Sequence, residues 1–272
     1  MEHRPLTFIG AGNMARSIIA GLVDAGYPAS AITAASPSAH PNDVLTTQYG
    51  IQTTTNNLLA CQQAEVIVLA VKPQLMAKVL SDLPAVDWSS KMVISIAAGI
   101  NVARLNQMAG TSLNLVRVMP NTPSLVGKGM SGLYASPGVT TGDQDYASAL
   151  MKAVGEVCWV DNEASINGVI AAAGSAPAYF FRFMEAMQQE AIRQGFTDQQ
   201  ARALVQQAAL GAAEMVAANP DTTLGELREQ VTSKGGTTAE ALQVFEQHNI
   251  SDIVAQAMQA AVSRAEQMEK EF

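Results

Sequence analysis

The chain has 272 residues, 48% of them hydrophobic and only 15% charged, with a formal net charge of -8. That length supplies core material for one large domain or, the preferred reading, two ordinary ones. The acidic balance disfavours nucleic acid and anionic membrane as partners, and no apolar run approaches the roughly 20 residues that span a bilayer.

The first predicted element is Leu6-Thr7-Phe8-Ile9, a buried strand feeding the turn Gly10-Ala11-Gly12-Asn13-Met14-Ala15. Apolar periodicity resumes through Ile18, Ile19 and Leu22, so a helix runs from about Asn13 to Ala25 until Gly26 and Pro28 stop it. A glycine turn at a helix N-terminus suits a pyrophosphate. Gly10 permits the tight turn, Gly12 lets the backbone approach the ligand, the first N–H groups of Asn13 and Met14 face the turn, and Ala15 keeps helix and strand close. A merely tight strand-to-helix turn is the plainer alternative.

A second strand, Ile32 to Ala35, ends in Ser36-Pro37-Ser38-Ala39-His40, where a dinucleotide fold meets the adenosine ribose. An acid there would hydrogen-bond the 2′-hydroxyl of NAD. No carboxylate stands between Asp24 and Asp43, and small hydroxyls with a histidine leave room for a 2′-phosphate, so NADPH is preferred and NADH is second. Turn formation beside Pro37 is the other reading of the serines.

Alternation continues with Asn56-Asn57 before a short helix, where Asn57 is either part of a cap or a nucleotide contact. Glu65 to Val71 reads as a buried parallel strand with Lys72-Pro73 at its C-terminal end, the edge at which doubly wound sheets bind ligands. Lys72 is there a cofactor contact or a solvated loop lysine. Met92 to Ile96 is a strand running into Ala97-Ala98-Gly99-Ile100, small residues that let a flat ring come close to Ala98. Asn114 to Val118 leads into Met119-Pro120-Asn121-Thr122-Pro123, a rigid irregular loop or a lining beside the nicotinamide. Gly129 to Tyr134 and Glu156 to Val160 add short strands, with a helix around Tyr146 to Val154 between them.

Near Val160-Asp161-Asn162 the pattern becomes purely helical. The expected division is an α/β dinucleotide-binding domain over residues 1–162 and an all-α dimerisation and substrate domain over 163–272. One long helix covers Ile166 to Gln194, interrupted by Gly174-Ser175-Ala176-Pro177. Another covers Asp198 to Ala218 behind a capping box of Thr197 and Gln200. Ala208, Ala209, Gly211, Ala212 and Ala213 permit close helix approach, and such helices bury poorly alone, so self-association through this half is expected. The loop Val231 to Thr238 sets hydroxyls, Lys234 and paired glycines before a helix from Ala239 to Gln247. It suits a carboxylate, or it is an ordinary glycine-rich connector.

Cys61 and Cys158 match no metal spacing and read as inert core thiols, so no metal site is expected. Without a recognisable signal peptide, the expected location is cytoplasmic. Reducing a ketone needs an acid/base partner, yet His3, His40 and His248 sit at unpromising places and no lysine projects from the helix after Gly174. An imine relaxes that need, because once protonated it already carries the charge that attracts hydride.

The ordered set Gly10-x-Gly12-Asn13-Met14, Val71-Lys72-Pro73, Arg117-x-Met119-Pro120-Asn121-Thr122-Pro123, Gly174-Ser175-x-Pro177-Ala178-Tyr179 and Ser233-x-Gly235-Gly236-Thr237-Thr238 resembles the pyrroline-5-carboxylate reductase family over essentially the whole chain. The resemblance implies a Rossmann domain binding NAD(P)H, then a helical domain that interlocks with a second subunit. It also implies dimers, often built into a ring-like decamer, and reduction of 1-pyrroline-5-carboxylate to L-proline. Carried over by position, it implies that Thr238 bonds the ring nitrogen, that Ser233, Gly236 and Thr237 hold the carboxylate, and that Ser36, Asn57, Ala70 and Lys72 contact the nucleotide. Two positions depart from the pattern: Ala176 stands where glycine is frequent, and Lys234 where proline is usual. The competing readings are another NADP-dependent imine or β-hydroxyacid reductase, and a non-catalytic NADP-binding sensor.

Overall fold

The computed structural model describes residues 2–37 and 39–271, apart from the side chains of 39–43. Ser38 and the side chain of His40, both invoked for the 2′-phosphate, lie outside the described residues. Eight strands among those described form one sheet: β1 (Leu6–Ile9), β2 (Ile32–Ala35), β3 (Gln52–Thr54), β4 (Val66–Leu69), β5 (Met92–Ser95), β6 (Asn114–Met119), β7 (Gly129–Ala135) and β8 (Gly155–Trp159). Their order is β3-β2-β1-β4-β5-β6-β7-β8. All neighbours are parallel except β6 with β7.

The helices of the first half are α1 (Asn13–Asp24), α2 (Ala39–Tyr49), α3 (Asn57–Gln63), α4 (Pro73–Ser81), α5 (Val102–Ala109) and α6 (Thr141–Lys152). Period-2 side-chain alternation explains why the central strands are apolar throughout. Phe8, Val68 and Ile94 enter one core with Ile18 and Leu22 of α1, whereas Ile9, Leu69 and Val93 enter another with Met76 of α4 and Leu105 of α5. Each face is thereby covered, as parallel sheets require. Fully burying a side chain such as Phe8 contributes roughly 2 kcal/mol.

The second half adds α7 (Ser165–Val169), α8 (Ala176–Arg193), α9 (Asp198–Ala218), α10 (Leu224–Gln230), α11 (Thr237–Gln247) and α12 (Ile250–Glu271). Between α7 and α8 the interruption expected at Gly174 takes the form of a π turn over Ile170–Gly174, with Ser175 N donating to Ile170 O at 2.7 Å. Its cause is local. Pro177 has no N–H to give the carbonyl four residues back, and Ala173 O accepts instead from Asn121 Nδ2 at 3.0 Å.

The chain divides into two compact units, Met1–Ser175 with Ala261–Phe272, and Ala176–Ala260. This differs from a division at residue 162. The helical pattern does begin there, but α7 packs on β7, and the Val169 side chain sits 2.6 Å from where a Cβ on Gly132 would lie. The last helix contributes residues to both units.

Candidate active site

The register of the sheet gathers the proposed nucleotide contacts along one edge. Ile9 pairs with Ala35 on one side and Leu69 on the other, so the residues after all three strands emerge together. Gly10 N donates to Ala35 O, and Ala70 N donates to Ile9 O. Crowding follows from this pairing: a Cβ on Gly10 would lie 2.7 Å from Ala70 O, and the residue has φ +108. Gly10 is therefore required by the protein's own backbone.

Gly12 differs. It is the N-cap of α1 with φ -73, and a Cβ there would meet nothing within 4 Å. The protein itself gives no reason for a glycine, and the open space lies before the free N–H groups of the first helical turn. Asn13 is exposed at this turn, while the Met14 side chain packs against the core and leaves only its backbone to the loop. Ala15 is buried as expected.

The same edge holds the other residues expected to meet the nucleotide. Ser36 follows β2, is buried, and donates its N–H to Thr54 O at 3.0 Å. Lys72 is the exposed N-cap of α4, with Pro73 as its first residue. Ala98 lies half-buried in the turn between β5 and α5. Asn56 is the cap of α3, accepting from Leu59 N at 3.0 Å. That frees Asn57, whose Oδ1 is enclosed and accepts no hydrogen bond among the described residues. A buried acceptor without a donor is costly, and a ribose hydroxyl is the donor a nucleotide would bring. Open space at Gly12 and this orphaned oxygen fit a dinucleotide.

The hydroxyl-rich loop belongs to the second unit. The helix after it begins at Thr237, two residues earlier than expected, so Thr238 stands inside the first turn. Gly236 is the N-cap and has no side chain to satisfy the turn. Its glycine identity is also steric: a Cβ would lie 2.5 Å from Ser233 Oγ. Ser233, Lys234, Thr237 and Thr238 are exposed, so free N–H groups and hydroxyls share one helix end.

Several roles escaped sequence reasoning. Asn121, read as a possible nicotinamide neighbour, spends its side chain on the scaffold: Nδ2 bonds the π turn and Oδ1 accepts from Met130 N at 2.8 Å. The segment after it is a 3-10 helix, Thr122–Val126. Tyr179, part of the glycine–proline motif, has an enclosed hydroxyl with no partner among the described residues. Cys61 is a core thiol, pushed up to about 12 by burial. Cys158 is not in the core: it is exposed on β8, an edge strand whose residues alternate outward.

With this geometry in place, comparison with known proteins is specific. Residues 163–268 match the family model described as pyrroline-5-carboxylate reductase dimerisation, and residues 5–99 match NADP oxidoreductase coenzyme F420-dependent. A pyrroline-5-carboxylate reductase of Vibrio alginolyticus is 63% identical over 272 residues, covering 100% of both chains. That of Escherichia coli K12 is 35% identical over 98% of this chain and 99% of its own. Among solved structures, the Coxiella burnetii pyrroline-5-carboxylate reductase is 38% identical with a TM-score of 0.93, covering 98% of this chain and 99% of its own. The Plasmodium falciparum pyrroline carboxylate reductase, solved with NADP bound, is 28% identical with a TM-score of 0.87, covering 99% of each.

Proposed function

The chain belongs to the pyrroline-5-carboxylate reductase family, and we propose from the two sites above that it reduces 1-pyrroline-5-carboxylate to L-proline with NADPH, the final step of proline biosynthesis. The observation that carries the assignment is the uncapped start of α11, where Thr237 and Thr238 stand exposed behind Gly236. Such a helix end holds a carboxylate on backbone N–H groups.

NADPH, when bound, supplies a hydride from nicotinamide C4 to the imine carbon. The residues of this chain bind and orient. Gly10, Gly12, Asn13 and Met14 offer backbone to the pyrophosphate, and Asn57 Oδ1 accepts from a ribose hydroxyl. Ser36 meets the 2′-phosphate end, Ala70, Lys72 and Pro73 line the nucleotide, and Ala98 leaves room for the flat ring. Ser233, Gly236 and Thr237 hold the substrate carboxylate, assisted by the Lys234 cation, and the Thr238 hydroxyl hydrogen-bonds the ring nitrogen. A protonated imine needs no strong base, which agrees with the absence of a catalytic histidine or lysine from this list of roles.

The dimerisation match and the apolar helices support a dimer; a ring-like decamer and a cytoplasmic location are further parts of this reading. No helix among the described residues is long and apolar enough to cross a membrane. Steady-state consumption of NADPH and of NADH with 1-pyrroline-5-carboxylate tests the assignment. Turnover favouring NADPH is expected, and no turnover with either nucleotide rejects it. Light scattering separates dimer from decamer.

A further inference from the structure

Arg117 lies in the middle of β6 between Val116 and Val118 and is 3% exposed. A guanidinium cannot shed its charge, so its burial demands carboxylates. Glu163 Oε1 accepts from Arg117 Nη1 at 2.6 Å, and Glu269 Oε1 accepts from the same nitrogen at 3.3 Å. The Glu163 oxygen has a second partner. Val102 N, the first residue of α5, donates to it at 2.7 Å.

That second bond bears on the cofactor site. The turn carrying Ala98 runs from the end of β5 to the start of α5. At its near end Ile96 N donates to Leu69 O at 3.1 Å, and at its far end Val102 N is held by Glu163. Asn101 is busy as helix cap, accepting from Arg104 N at 2.9 Å. Between these anchors the backbone passes through Gly99 at φ +73, a conformation that leaves the turn's path dependent on its ends. A carboxylate at a helix N-terminus is also favoured by the helix dipole.

We infer that Glu163 is a positioning residue for hydride transfer: clamped by the buried Arg117, it fixes the start of α5 and thereby the Ala98 turn against the nicotinamide end of NADPH. The inference rests on the proposed placement of Ala98 at the cofactor. The partners of Glu163 are Val102 N and Arg117, and no role against substrate or cofactor is assigned to it. Its effect reaches them through four residues of backbone.

The test compares affinity for NADPH with affinity for 2′-phospho-ADP-ribose, which lacks the nicotinamide, on the full-length enzyme. Glu163→Ala is expected to weaken NADPH and lower kcat, each about ten-fold, since small displacements near the reacting atoms are costly. Binding of 2′-phospho-ADP-ribose should not change. Glu163→Gln keeps an acceptor for Val102 N and should restore both values, whereas Glu163→Asp, one methylene short, should resemble Ala. If the alanine variant does not fold, the Gln and Asp variants carry the same comparison. Equal weakening of both ligands, or of neither, overturns the inference. Ala98→Leu separates the two layers. If it leaves NADPH and 2′-phospho-ADP-ribose binding unchanged, the placement of Ala98 fails and the inference with it. If it weakens NADPH selectively while the Glu163 variants do nothing, Glu163 alone is rejected.

Discussion

At the scale of single residues, the two glycines of the first turn have different reasons for being glycine, and substitution distinguishes them. Gly10→Ala forces a side chain into Ala70 O at a positive φ and should cost about 2 kcal/mol or more of stability, read as a fall in the denaturant midpoint. Gly12→Ala meets no protein atom, so the midpoint should hold while the Kd for NADPH rises roughly ten-fold, equivalent to about 1.4 kcal/mol. Equal effects on folding would remove the argument for a ligand at Gly12. Thr238→Ala should lower kcat roughly 100-fold, the scale of a lost proton-transfer or hydrogen-bonding partner, with NADPH affinity unchanged. Unaltered kinetics would reject its role. Much of this was legible in the sequence because a tight turn and a helix start impose local requirements. The orphaned Asn57 oxygen was not, since it depends on what encloses the side chain. Arg117 between two valines announces a need for an acid, but its partners stand 46 and 152 residues away.

At the scale of elements, the helix expected from Tyr146 begins at Thr141, because Thr140 Oγ1 accepts from Asp143 N at 3.1 Å and caps it. Asp143 then joins three segments, taking Arg4 Nη1 at 2.6 Å and Asn114 Nδ2 at 2.8 Å. Burial alone would raise its carboxyl, but hydrogen bonds from Asn114, Arg4 and Thr140 outweigh it and hold the group below its ordinary value. A depressed folded-state pKa stabilises above the unfolded value of about 3.9, and that contribution is lost as pH falls through the folded one. Asp143→Asn should therefore cost about 1–2 kcal/mol near neutral pH, and the two proteins should converge in strong acid. Calorimetry across that range checks it; a constant gap would contradict the assignment. Strand β3 gives no signal in the sequence pattern because Gln52-Thr53-Thr54 is polar, three residues long and paired only with β2 at the sheet edge. By contrast, the capping box at Thr197 and the bounds of α9 were readable as they stand, since both are set by neighbouring residues.

At the scale of the molecule, the second unit leaves much apolar surface bare, including Phe180 at 68%, Phe181 at 61% and Leu224 at 68% exposure. An isolated chain seldom shows so much, and these residues fall within the stretch that matches a dimerisation model. Replacing Phe180 and Phe181 together by Asp should shift light scattering toward monomer and abolish the dependence of Tm on protein concentration. A variant that remains dimeric would place the interface elsewhere on these helices. The first unit draws instead on a distant stretch of chain, for the end of the last helix belongs to it and Glu269 reaches Arg117. Its contacts thus join two stretches far apart in the chain. A ribosome completes all eight strands long before it reaches Glu269, and domains ordinarily fold in the order they are made. Here the strands, both cores that flank them and Glu163 are all made before Glu269, so Arg117 meets one carboxylate early and gains its second, 3.3 Å away, only when the last helix arrives.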